Sequence, residues 1–245
     1  MSEAAAPAGV EGWLSEAQAR RLRARAAAVA PGRAIVEIGS FRGRSTIVLA
    51  RAARPGVEVV AIDPHAGGDR GPQEIAADRA RGEADHAAFV ANLALAGVAD
   101  RVRHVRRPSA DALGEVAGPV ALLYVDGAHR FGPARDDLAR WGSRVASGGW
   151  MLVHDAFSSV GVTAALLAEC VLGGRWRYAG RSGSLAEYER CASALRGSAS
   201  TRNAARQLAE LPWFARNLLI KALVLAGLRP VAHQLGLPRG DAWPY

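Results

Sequence analysis

Two stretches of this chain combine residue types that could hold a nucleoside. The run Ile35-Val36-Glu37-Ile38-Gly39-Ser40-Phe41-Arg42-Gly43-Arg44-Ser45-Thr46 closes an apolar strand with Glu-x-Gly-x-x-x-Gly and passes into a helix. Glycines there let the backbone approach a ligand, and the helix start offers free N–H groups. A second apolar run, Val57 to Ile62, ends in Asp63. A strand, glycine turn, helix, strand and acid in that order place the glycines under a ligand and the carboxylate on ribose hydroxyls. Two later runs also end in groups able to bind or move a proton. Val120 to Val125 leads into Asp126-Gly127-Ala128-His129, and Trp150 to Val153 into His154-Asp155.

The elements that must carry these groups alternate. Ser15-Glu16-Ala17-Gln18 is a capping box opening a helix whose buried face is Leu22, Ala26 and Val29 and which Pro31-Gly32 ends. A strand over 34–38 is followed by a helix over 44–53 and a strand over 57–62. Residues 64–82, rich in Gly, Asp, Arg and Pro, read as a long mobile loop with a helical piece near 73–81. A helix over 83–96 carries Phe89, Leu93 and Ala96 at helical spacing, and a strand spans 101–106. The continuous apolar run 120–125 suits a strand covered on both faces. A helix over 132–144 follows, Gly148-Gly149 breaks the chain before the strand 150–153, and a helix spans 160–171. Residues 176–179 and 185–188, joined by a short turn, read as a terminal antiparallel hairpin. The pattern implies an α/β fold, doubly wound around a mostly parallel sheet.

Bulk properties bound the function. At 245 residues, with half of them hydrophobic and 22% charged, the chain can bury one sizeable core. The net charge of +8 invites a nucleic-acid reading, but the arginines are scattered without a basic block, so no nucleic-acid partner is expected. Lys221 is the only lysine. Cys170 and Cys191 are far apart and give neither a zinc motif nor a disulfide framework, which fits a reducing cytoplasm. The first residues lack the pattern of a secretory signal, and no run of about 18 apolar residues is present, so a cytoplasmic location is expected.

Taken together, the motifs resemble class I S-adenosylmethionine-dependent methyltransferases, and more closely their small-molecule O-methyltransferase branch, which includes metal-dependent enzymes. The resemblance covers about 30–190. It rests on Glu37 to Thr46, on Ala61-Ile62-Asp63-Pro64, on Phe89 with Asn92, on Ser109-Ala110-Asp111-Ala112-Leu113, on Tyr124 to His129, and on Gly148-Gly149 before His154-Asp155. It implies a seven-stranded Rossmann-like sheet with a terminal antiparallel hairpin within 14–190; residues 1–13, small and polar with Pro7 and Gly9, read by composition as a flexible arm, and 191–245, outside the resemblance, as a helical C-terminal extension. The resemblance implies S-adenosyl-L-methionine as cofactor, with Glu37, Gly39, Ser40, Phe41, Gly43 and Ser45 (or Thr46) around its methionine part, Asp63 on the ribose and Ser109 and Ala110 at the adenine edge. Pro108 lacks the N–H donor there, and Asp111 could equally be a helix cap.

Asp126 and Asp155 end strands that should be neighbours at the carboxyl edge of the sheet, where ligands bind in open α/β folds. Strands lie about 4.8 Å apart, so both carboxylates could reach one Mg²⁺, which would lower the pKa of a substrate hydroxyl and orient it. In metal-dependent relatives a carboxylate or amide usually stands where this chain has His154. Alternatively the two acids orient substrate or cap turns without an ion. His129 is the candidate general base with Asp126, His154 its rival, and His65 a pocket wall.

The expected reaction is methyl transfer to a hydroxyl of a small molecule such as a sugar or phenol, with nitrogen as the other acceptor atom. Two alternatives remain. A nicotinamide-dependent oxidoreductase would normally show G-x-G-x-x-G, which this chain lacks. A catalytically degenerate nucleoside-binding module would act through the C-terminal extension. In that extension, Leu211 to Leu228 reads as an interrupted apolar helix that could cover the sheet or the substrate site, make a homodimer contact or lie on a membrane surface.

Overall fold

A computed structural model describes residues 7, 9–68 and 76–237. The capping box forms as the spacing requires: Gln18 N donates to Ser15 Oγ at 3.3 Å and Ser15 N to Gln18 Oε1 at 2.8 Å. It starts α1(Glu16–Ala27), whose Leu22 and Ala26, with Val29 just beyond, are buried. There follow β1(Ala34–Ile38), α2(Arg44–Ala52), β2(Glu58–Ile62), α3(Arg79–Leu95), β3(Val102–Val105) and β4(Val120–Val125). The chain continues through α4(Phe131–Asp136), α5(Gly142–Arg144), β5(Val145–Val153), α6(Val160–Leu166), β6(Trp176–Ser182) and β7(Leu185–Arg190). It closes with α7(Gly197–Leu208), α8(Leu211–Leu225) and α9(Arg229–Gln234).

The strands make one seven-stranded sheet in the order β3-β2-β1-β4-β5-β7-β6. All pairings are parallel except those of β7, which runs antiparallel to β5 and β6. The inner strands are buried on both faces, which is why they read as unbroken apolar runs. Val36, Val60, Leu123 and Met151 face the core under α4 and α6, with Leu138, Trp141 and Val162. Ile35, Val59, Leu122 and Leu152 face the opposite core, with Leu22 and Leu49.

Register positions the site. Ile38 pairs with Val125 and Val125 with Val153, so Gly39, Asp126 and His154 leave the sheet side by side. Gly39 has φ +82°, and a Cβ on it would lie 2.2 Å from the Asp126 carbonyl oxygen. Its role is therefore both conformational and steric.

Several boundaries differ from the sequence reading, each for a local reason. α3 begins at Arg79 rather than 83, because Asp78 caps it by accepting from Arg81 N at 2.7 Å. Gly82, a weak helix former, is needed there, since a Cβ would meet the His65 carbonyl at 2.0 Å. Of the expected mobile loop and helical piece, 69–75 lie outside the described residues. β5 starts at Val145, not 150: Gly148 takes φ +77° inside it, and the register with β4 shifts between Val120 and Leu122. The two helices after β4 and β5 pass into π turns, Asp137–Trp141 and Leu167–Val171.

The N-terminal segment is docked where a loose arm was expected, at least from residue 9. Val10 and Leu14 are buried, Arg44 Nη1 donates to the Val10 carbonyl at 2.7 Å, and the Trp13 ring lies 5.4 Å from that of Phe41. Residues 1–6 and 8 fall outside the described residues.

The C-terminal helices cover the sheet edge. Asn203 of α7 accepts from Tyr178 N at 2.8 Å and donates to the Trp176 carbonyl at 2.9 Å, satisfying the open side of edge strand β6. Glu210 accepts from Tyr178 and Arg181, and Trp213 and Phe214 pack on the core. Pro212 and Pro230 sit in the first turns of α8 and α9, where a missing N–H costs nothing. Among the described residues no helix is long and apolar enough to cross a membrane.

Replacing Gly39 with Ala should therefore cost at least about 3 kcal/mol or prevent folding, through strain plus the collision with Asp126. A urea melt of the purified variant against wild type checks this; a loss under about 1 kcal/mol would mean that the ends of β1 and β4 separate easily.

Candidate active site

A cavity of about 640 Å³ opens at the carboxyl ends of β1, β2, β4 and β5, a size suited to a small cofactor with an acceptor beside it. The turn after β1 forms its floor. Asp63, at the end of β2, pulls that turn in: its Oδ2 accepts from Ser40 N at 2.9 Å and Phe41 N at 2.8 Å, and its Oδ1 from His65 N at 2.7 Å. A carboxylate has about four acceptor positions, so roughly one remains for a ligand. The N–H groups of Ser40 and Phe41, expected to face a ligand carboxylate, are used inside the chain. Phe41 and His65 pay for this arrangement with left-handed backbone, φ +44° and +48°.

Glu37 and Gly43 do not line the cavity. Gly43 packs against Phe89 at φ +87°. Glu37 is fully buried beneath the turn, where the hydroxyls of Ser45 and Thr46 bond to its two oxygens. Both hydroxyls are thus engaged at the strand end, and Ser45 also borders the cavity. Burial pushes the Glu37 carboxyl up to about 8, against the opposing pull of the two hydroxyls. Ser40 Oγ is different: it is buried, reaches no partner in the protein, and belongs to the cavity wall.

Ser109 and Ala110 line the far side, as expected, on a 3-10 turn after Pro108. Ser109 is held by Asp137, which accepts from its hydroxyl, and by Trp141 Nε1, which donates to its carbonyl at 3.0 Å. Burial raises the Asp137 carboxyl to about 6. Asp111 is exposed and outside the cavity.

The acids and histidines at the ends of β4 and β5 converge. His129 Nε2 lies 2.5 Å from Asp155 Oδ2, and His154 Nδ1 lies 3.2 Å from Asp126 Oδ1 and 3.5 Å from Asp155 Oδ2. Tyr124 donates to Asp126 at 2.8 Å from within the sheet. Burial works against charge on Asp155, yet the charge of His154 and the bond from His129 hold its carboxyl well below the usual range. Burial likewise opposes the charged form of His129, and its bond to Asp155 outweighs that, raising the imidazole. With Nε2 turned to Asp155, His129 Nδ1 has no partner in the protein. Asp155 itself sits in the left-handed region at φ +54°, uncommon for a residue other than glycine. Asp126, His154 and Asp155 present ligand atoms within 4.8 Å of one another.

The sequence reading missed part of the wall. Glu11, Gly12, Trp13 and Leu14 close one side, and Asp137 and Arg140 another. The signal for the first was present: Trp13 and Leu14 are large apolar residues ending an otherwise small, polar stretch. For Asp137 there was none, since only a π turn aims it inward.

Residues 36–156 match a family described as a methyltransferase domain. Over 124 residues, 50% of this chain, the sequence is 36% identical to a catechol O-methyltransferase of Mycobacterium tuberculosis. That match spans 47% of the relative, so the chain covers about half the length of the curated protein it resembles. Among solved structures, the fold is similar to an O-methyltransferase from Bacillus cereus in complex with SAH: TM-score 0.54, 18% identity, 75% of this chain and 86% of that one. It is similar also to the O-methyltransferase TomG from Streptomyces achromogenes, in complex with SAM: TM-score 0.51, 22% identity, 73% and 81% of the two chains. At these identities the structural likeness is one of fold.

Glu37 makes stability depend on pH. Its folded value of about 8 lies above the ordinary 4.5, so between these values the native state holds a proton that the unfolded chain has released. The contribution is full below 4.5 and is lost as pH rises through 8. Glu37→Gln should remove this dependence, leaving the wild type to lose about 4 kcal/mol more than the variant between pH 5 and pH 9. Urea midpoints measured across that window test it; parallel curves would mean that Glu37 is ionised in the fold.

Proposed function

We propose that the chain, whose residues 36–156 match a methyltransferase domain, methylates an oxygen of a small molecule, a phenol or sugar hydroxyl, with S-adenosyl-L-methionine as donor. The observation that carries this reading is the meeting of the Asp63-braced turn and the His129–Asp155 pair in one cavity. The cofactor fits the wall on its own evidence: Ser40 Oγ is a buried hydroxyl that lacks a protein partner, and Asp63 keeps an acceptor position for a ribose hydroxyl. Ser109 and Ala110 would border the adenine.

When bound, S-adenosyl-L-methionine would supply an electrophilic methyl group to the acceptor oxygen and keep the carbon–sulfur electron pair, and the hydroxyl proton would pass to the protein. His129 is suited to take it. Its Nε2–H donates to Asp155, which fixes the tautomer and leaves Nδ1 as acceptor. Asp126 would orient the acceptor. The protein's main contributions are alignment and this proton route. The Trp13–Phe41 ring pair on the wall favours a planar, aromatic acceptor, and the likeness to a catechol O-methyltransferase supports the same class.

Asp126, His154 and Asp155 fit a divalent cation by the chemistry of their donor set, two carboxylates and an imidazole with ligand atoms within 4.8 Å of one another. Mn²⁺ accepts an imidazole beside carboxylates more readily than Mg²⁺, which prefers oxygen ligands alone. When bound, the ion would lower the pKa of the substrate hydroxyl.

Calorimetric titration with S-adenosylhomocysteine should show micromolar binding in wild type. Asp63→Ala should weaken it at least about tenfold, one lost charged hydrogen bond or more. Asp126→Ala and His129→Ala should keep it, yet lower turnover on a panel of phenols and sugars by about 10²- to 10⁴-fold, with and without Mn²⁺ or Mg²⁺. No binding by wild type would overturn the proposal, and full turnover in both variants would remove the assigned roles.

A further inference from the structure

The loop joining β5 to α6, residues 154–159, carries Asp155 and is backbone-strained twice, at Asp155 (φ +54°) and Phe157 (φ +57°). Non-glycine residues hold such values only where surrounding contacts over-determine them. Some of those contacts are local. Ser158 N and Ser159 N donate to the Asp155 carbonyl at 3.2 and 3.0 Å, and Ser158 Oγ reaches Asp155 Oδ1 at 3.2 Å. The turn of the β6–β7 hairpin adds one more, from Ala156 N to the Ser184 carbonyl at 2.9 Å.

Ser159 Oγ also reaches the His129 carbonyl at 3.3 Å, and two further contacts come from α8, which lies outside the matched domain. Asn217 Nδ2 donates to the Phe157 carbonyl at 3.4 Å, and Lys221 Nζ to the Ser158 carbonyl at 2.8 Å. Asn217 and Ile220 are fully buried, and with Lys221 they share one helix face at i, i+3 and i+4. Lys221 is the only lysine in a chain that otherwise uses arginine throughout. A compact ammonium on a flexible stem can reach a carbonyl in a half-buried gap where a planar guanidinium needs more room. It stands close enough for the negative charge of Asp155 to act on it.

We infer that α8 is a positioning element for the active site: through Asn217 and Lys221 it fixes the 157–158 carbonyls and thereby the strained loop that aims Asp155 at His129. Neither side chain touches the reacting atoms; both act through Asp155. This rests on the methyl-transfer reading for its effect on turnover, but its structural half stands apart from that reading.

The test compares full-length wild type with Lys221→Met, which keeps the stem and removes the charge, and with Lys221→Arg and Asn217→Ala. Amide hydrogen exchange is read over 154–160, the sheet and α8, alongside kcat, KM for the acceptor and affinity for S-adenosylhomocysteine. Lys221→Met should speed exchange at least tenfold at the amides of 156–159 while the sheet and α8 keep wild-type protection. It should lower kcat about tenfold or more, leave S-adenosylhomocysteine affinity within about twofold, and be partly restored in Lys221→Arg. Asn217→Ala should show the same signature and serves alone if Lys221→Met does not fold. Unchanged exchange in the loop overturns the inference. So does faster exchange with unchanged kcat, or a fall in kcat that merely follows global destabilisation and loss of S-adenosylhomocysteine binding. If wild type transfers no methyl group to any acceptor, the functional reading fails, and the exchange data alone decide whether α8 holds the loop.

Discussion

A buried carboxylate governs the design of this site. Asp155 lies almost out of water, where an isolated charge would be strongly disfavoured and would take up a proton instead. It remains anionic because two imidazoles face it, His129 at 2.5 Å and His154 at 3.5 Å. Those imidazoles are available only because β4 and β5 pair in parallel with Val125 opposite Val153, which brings the next residues of both strands to one point. The left-handed backbone at Asp155 turns its carboxylate toward both imidazoles. Removing one partner of such a cluster leaves a buried charge less compensated, so Asp126, His129, His154 and Asp155 are best regarded as one unit.

The second constraint is closeness. The ends of β1 and β4 approach so tightly that residue 39 has no room for a side chain, and Asp63 draws the following turn down by accepting its N–H groups. The cradle is thus stiff before any ligand arrives. A carboxylate spent largely on its own backbone contributes by shaping the floor more than by reading a ligand. The buried Ser40 hydroxyl is then the polar group left over for recognition.

Much of this was legible in the sequence, for physical reasons. Strands buried on both faces must be continuous apolar runs, so β1, β2 and β4 could be bounded to within a residue or so. The glycine turn and the strand-end acids stood at the breaks between such runs. What the sequence hid depended on tertiary contact. The capping of α3 by Asp78 outweighed the weak propensity of Gly82, which is kept for its missing Cβ. The π turn that aims Asp137 at Ser109 has no periodicity signal of its own. The partners of Asp63 and Glu37 are backbone and hydroxyl groups next to the motif, so residue types that looked poised for a ligand turned out to hold one another.

The segments beyond the matched domain differ from it in kind. A domain ending at 156 stops one residue after Asp155, before most of the contacts that hold that residue's backbone. The hairpin turn supplies one contact, and α8 supplies two more across a sequence separation of about 60 residues. At the other end, α1 anchors the hairpin: Arg21 and Arg25 meet the buried Glu187 on β7 at 2.9 and 2.6 Å, and the Arg25 guanidinium lies 3.2 Å over Trp150. The N-terminal helix therefore braces the hairpin, the hairpin and α8 brace the loop, and the loop presents Asp155 to His129. Motifs at strand ends identify where chemistry can occur, whereas the angle at which Asp155 is presented is set by residues that no strand-end motif contains.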